Sequence, residues 1–140
     1  MSAHVQSTAM LRWRAVAVLF LPSTVLAPIA VFYQQYDGAP HFFLHTLMGW
    51  DVGLAALLLA TLVGGRMSRA DGVVLLVLAL YAMTPDFIYE VGPFHRDWMD
   101  VFLFHVSLDE LLPLALPVLA ILWVVLVVAY FRFRALPLLR

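Results

Sequence analysis

Six residues of this chain, His41, His45, Asp86, His95, His105 and Asp109, are candidate metal ligands by type and spacing. His41 and His45 stand four apart, which on a helix places both imidazoles on one face, where they can share an ion. His105 and Asp109 repeat that spacing, and Asp86 and Glu90 repeat it with two carboxylates. His95 falls in the stretch between them. Mixed imidazole and carboxylate donors suit zinc, manganese or iron, whereas copper(I) prefers sulfur. The expected ligand set is therefore drawn from His41, His45, Asp86, His95, His105 and Asp109, around a divalent metal. Glu90 and Asp100 are the carboxylates left to act as general base. Asp51 belongs elsewhere: its offset of ~80° to 120° around the helix from the two histidines argues against one shared ion.

Composition decides which elements must hold these groups. The 140 residues are 64% hydrophobic and only 12% charged, against roughly 45–50% and about 25% for soluble domains. Cysteine is absent, which excludes disulfides, thiolate metal sites and cysteine nucleophiles. All eight basic residues are arginine, so lysine Schiff-base chemistry is excluded, and no basic tract is built for nucleic acid.

Apolar stretches of about 20 residues, enough to cross ~30 Å of hydrocarbon, recur along the chain. They predict an all-α integral membrane four-helix bundle in one domain, with spans over 15–33, 41–64, 73–90 and 107–131. The first run is long for a signal peptide and reads as a retained helix, with Pro22 and Pro28 inside it. Ser107 and Glu110 have capping-box spacing and are expected to start the last span, preceded by a short interfacial helix over 98–106.

Orientation follows from the arginines. Arg12, Arg14, Arg66, Arg69, Arg132, Arg134 and Arg140 fall at the two termini and the middle link. The positive-inside rule makes these cytoplasmic; the expected setting is the plasma (inner) membrane, with lipids as the immediate partners. The acids sort the other way: apart from Asp71, all belong to the outer half, where Arg96 is the single cation. Asp51 and Asp86 lie roughly 15 and 10 Å below the outer edge. A carboxylate at such depth costs at least ~2.5 kcal/mol on insertion scales, so it must be neutral, paired or coordinated.

Several short motifs are similar to those of the membrane-bound metal-dependent hydrolases of the bacterial inner membrane. They are Thr84-Pro85-Asp86, His95-Arg96 and His105-Val106-Ser107-Leu108-Asp109, with His41 or His45 as the early histidine. The resemblance implies metal ligation by these histidines with Asp86 and Asp109. Two positions depart from the pattern: Ile88 replaces the second acid of the Pro-Asp motif, and Asp100 stands where a histidine follows His-Arg.

Three functions fit these features. A metal-dependent hydrolase would act on a lipid-linked substrate at headgroup depth. A non-enzymatic accessory or assembly subunit would dock the acidic face on a larger membrane complex. A haem or proton-transfer protein would clamp a macrocycle between His45 and His105.

Overall fold

The computed structural model describes residues 2–36, 38–91 and 97–135, with side chains at 13–32, 34, 38–88 and 98–135. All regular structure among them is helical: α1 (Ser2–Tyr36), α2 (Ala39–Leu62), α3 (Ala70–Ala82), α4 (Thr84–Val91), α5 (His105–Glu110) and α6 (Leu112–Ala129). A 3₁₀ turn, Asp97–Val101, precedes α5, and a π-helical segment, Tyr130–Ala135, extends α6. Three stretches are long and apolar enough to cross a membrane, Trp13–Phe32, Gly38–Leu62 and Leu112–Ala135, while α3 is a shorter apolar helix.

The surface explains what solvent these helices need. Within Leu112–Ala129 only Leu119 is buried, and Leu114, Val118, Ile121 and Val125 all face outward. Such a helix would expose a continuous apolar surface to water, far beyond the few hundred Å² that soluble monomers tolerate. A hydrocarbon surrounding removes that cost, which makes the chain consistent with a membrane protein.

Helix α2 lies at the centre, touching α1, α3 and α6. It runs antiparallel to α3: Gly49 lies against Ala79, and Gly53 against Leu75. It runs parallel to α6, as Trp50 stacks on Trp123 at 6.2 Å and Leu57 and Thr61 both meet Arg134. The glycines set the α2–α3 separation. A Cβ at Gly49 would lie 2.5 Å from the Ala79 Cα and the Leu78 carbonyl oxygen, which are backbone atoms that cannot step aside. Gly64, at φ 89°, ends α2 by turning the chain, and the Gly65 N–H returns to the Ala60 carbonyl. The helix thus stops at Leu62, two residues short of the expected span over 41–64.

Two apolar cores flank the middle of α2. One gathers Leu26, Phe42, Ala79 and Met83; the other gathers Leu19, Leu54, Leu57, Leu75 and Tyr130. Beyond the second core lies a buried ion pair. Arg134 donates from Nε to Asp71 Oδ2 at 2.7 Å and from Nη2 to Asp71 Oδ1 at 2.9 Å, a bidentate fork. Its other N–H groups reach the Leu57 carbonyl, Thr61 Oγ1 and the Arg66 carbonyl, and Tyr130 donates its hydroxyl to Asp71 Oδ2. Every strand of this network ties α6 to α2 and α3. Buried charges are tolerated because each is paired and hydrogen-bonded.

The third predicted span is interrupted. Thr84-Pro85 breaks it into α3 and α4, because Pro85 has no N–H to continue the ladder. The expected capping box at Ser107 is also not formed. Leu103 and Phe104 take left-handed conformations, φ 58° and 60°, and α5 begins earlier, at His105.

Two outcomes test this packing by unfolding in detergent, followed by tryptophan fluorescence. Asp71→Ala strands a buried guanidinium and is expected to cost about 3–5 kcal/mol, whereas Arg69→Ala, at an exposed position, should stay within about 0.5 kcal/mol. Gly49→Ala forces α2 from α3 and should cost roughly 1–3 kcal/mol.

Candidate metal centre

The sequence separates the candidate ligands by up to 68 positions; the fold collects them at the Gly38 end of α2. His41 and His45 arrive on successive turns of α2, Asp86 in the first turn of α4, and His105 and Asp109 on α5. One ligand atom from each of His41, His45, His105 and Asp109 falls within 4.8 Å of the others, a set that can hold a metal ion. His45 and His105 are buried, while His41 and Asp109 keep partial exposure, so the group has a closed floor and an open mouth.

Asp86 completes the arrangement from the side. Its Oδ1 lies 3.0 Å from His41 Nε2 and 3.0 Å from His105 Nε2. Asp109 Oδ1 lies 3.0 Å from His45 Nε2 and 3.5 Å from His41 Nδ1, and its Oδ2 lies 3.5 Å from His105 Nε2. The rings are close-set: His45 stacks on His105 with centroids 4.0 Å apart, and His41 meets His45 edge-on at 4.6 Å.

The proline break orients one of these ligands. Beyond Pro85 the Asp86 N–H bonds the Met83 carbonyl, which leaves the Ala82 carbonyl to accept from His105 Nδ1 at 3.2 Å. A carbonyl can only accept, so the proton of a neutral His105 sits on Nδ1 and its Nε2 lone pair points at Asp86 and Asp109. Imidazole nitrogens held by a backbone carbonyl on the far side are the usual posture of metal-binding histidines.

Four imidazole nitrogens face the two carboxylates: both of His41, and the Nε2 atoms of His45 and His105. Three neutral rings carry three protons, and that of His105 is spent on Ala82. Lone pairs therefore face carboxylate oxygens at hydrogen-bond distance, which is repulsive unless extra protons or a metal ion lie between them. His45 Nδ1, buried and without a hydrogen-bond partner, adds a second sign of an incomplete polar site. The residues present fit a divalent ion of the zinc, manganese or iron type.

The remaining candidates divide. Asp100 is engaged locally: its Oδ1 accepts the Ser107 N–H at 3.0 Å and its Oδ2 the Ser107 hydroxyl at 2.6 Å. These bonds hold its carboxyl below the usual carboxylate range and cap the first turn of α5. Asp100 thereby fixes the helix that presents His105 and Asp109. The side chain of Glu90 and the whole of His95 lie outside the described residues. Asp51 does not join the cluster; it is buried farther along α2, and neither carboxylate oxygen has a hydrogen-bond partner. The stacked His45 and His105 rings leave no slot for a macrocycle between them. Sequence reasoning missed the Ala82 carbonyl, because no side-chain pattern marks a freed backbone acceptor, although Pro85 was the available signal.

No protein-family model matches this chain, and neither a curated protein nor a solved structure matches it.

Titrating metal-stripped protein with zinc or manganese in a calorimeter should give one site per chain, with protons released on binding. His45→Ala should abolish that site. Asp86→Asn should weaken it about 10–100-fold, as expected for a partner that orients ligands.

Proposed function

We propose that this chain is a multi-pass plasma (inner) membrane protein whose His/Asp cluster binds a divalent metal and hydrolyses a lipid-linked substrate. The observation that carries the reading is the convergence of His41, His45, His105 and Asp109 within 4.8 Å at one end of an apolar helical body. The proposed topology has four spans, α1, α2, α3 continued by α4, and α6, with both termini cytoplasmic. The arginines favour it: Arg14, Arg66, Arg69 and Arg132 belong to the end opposite the histidines. The histidine cluster then faces the extracytoplasmic headgroup layer.

A bound metal would supply Lewis acidity and a hydroxide at neutral pH. The chain supplies the rest. His105 is held in one tautomer by Ala82, Asp86 bridges His41 and His105, and Asp100 anchors the turn from which α5 starts. The part-exposed side of His41 and Asp109 is the face from which a headgroup reaches the site. Glu90 is the proposed general base. The similarity of Thr84-Pro85-Asp86 and His105-Val106-Ser107-Leu108-Asp109 to membrane-bound metal-dependent hydrolases supports the reaction class.

The test is a hydrolysis assay on lipid-linked phosphoesters and acyl esters in mixed micelles. Turnover should require added metal and vanish in His45→Ala. Protein that binds metal stoichiometrically yet cleaves none of these substrates would instead be a metal-binding accessory protein.

A further inference from the structure

A second polar feature lies around the helix from the histidines, where α1 and α2 diverge. A cavity of about 260 Å³ separates them, walled by Ala27 and Ala30 of α1 and by Phe43 and Leu47 of α2. Its lining is mostly apolar, with Ser23, Thr46 and Trp50 as the members that carry polar groups. Thr46 is 3% exposed and its hydroxyl has no hydrogen-bond partner. The Trp50 indole Nε1 is likewise buried and without a partner.

Thr46 breaks a habit that the other described threonines keep. Thr24, Thr61 and Thr84 each donate to a carbonyl three or four residues back, at 2.7, 2.9 and 3.0 Å. That local bond is the normal resting place of a hydroxyl in an apolar helix. Thr46 forgoes it and lines the cavity. Trp50 stands one turn further on the same face, with Cβ atoms ~5–6 Å apart at this spacing. Leaving either group unpaired costs about 1–3 kcal/mol, and hydrocarbon offers nothing to accept from them.

Accordingly, we propose that the α1–α2 cavity binds the ester region of a diacyl glycerolipid, whose two carbonyls accept from the Thr46 hydroxyl and the Trp50 indole N–H. A ligand here must be apolar in body and carry hydrogen-bond acceptors below its headgroup. Diacyl glycerolipids have two such acceptors on neighbouring glycerol carbons; polyprenyl chains have none below their phosphate. The cavity has room for roughly nine groups of ~30 Å³ each, enough for the ester segment while the chains continue into surrounding hydrocarbon. Thr46 and Trp50 lie ~1.5 and ~7.5 Å along the axis from His45. A lipid held by its esters therefore keeps its phosphate near the level of the metal centre, straddling one edge of α2. The proposal rests on the hydrolase reading and narrows its substrate class to acyl glycerolipids.

The experiment is native mass spectrometry of the whole chain in detergent with equal amounts of two phosphatidylglycerols. They share headgroup and chain length, but one is ester-linked and the other ether-linked. Wild-type protein should retain the ester lipid about fivefold to tenfold over the ether, one hydrogen bond or more at a tenfold per ~1.4 kcal/mol. Thr46→Val with Trp50→Phe should bring the ratio close to one, and Thr46→Ser alone should keep the preference. Equal retention of the two lipids by wild type, retention of neither, or a preference that survives the double variant would overturn the proposal. The preference should be the same with metal supplied or chelated. An intact ester preference in protein that binds no metal would sink the hydrolase reading alone.

Discussion

Polar groups buried among apolar helices have to find their partners within the chain, and this requirement shapes the molecule from both ends of α2. At one end Asp71 and Arg134 meet in a bidentate pair, with Tyr130, Thr61 and two backbone carbonyls closing every remaining valence. At the other end three imidazoles and two carboxylates crowd together. The two clusters differ in one decisive respect. The first is satisfied by its own members, so it acts as a fastening. The second gathers His41, His45, His105 and Asp109 in a group that could hold a metal ion.

The ion-pair cluster supports the histidine cluster through packing. Arg134 pins the far end of α6 to α2, Trp50 and Trp123 stack midway, and α5 leads directly into α6. The glycine contact between α2 and α3 fixes the spacing from which Ala82 and Asp86 approach His105. A shift in that spacing moves two ligand partners at once. Close packing makes such interfaces discrete rather than elastic.

Much of the candidate site was legible as spacing. The i,i+4 pairs His41/His45 and His105/Asp109 announced shared helix faces, and Asp86 was conspicuous for its depth. The ordering of these pieces in space was not legible, since contacts such as His45 with Asp109 cross 64 positions. The start of α5 was misplaced for a local reason. Ser107 and Glu110 carry the letters of a capping box, but the left-handed Leu103 and Phe104 start the helix earlier, and Asp100 caps it from outside. The Asp71–Arg134 pair was invisible in a different way. Both residues are expected among the inner-side charges, and nothing in the sequence says that two of several such charges will be buried together. The long apolar helices were the easiest feature to read, because hydrocarbon thickness leaves composition little freedom.

The distance along the chain between Asp71 and Arg134 has a consequence for the order of events at the ribosome. The two are 63 residues apart, and synthesis proceeds at ~5–20 residues per second. Asp71 is therefore made some seconds before its partner, roughly 3 to 13 at those speeds. During that interval the guanidinium from which its carboxylate accepts in the folded chain does not yet exist. The bonds that tie the start of α3 to the segment beyond α6 can therefore form only once the last helix has been made.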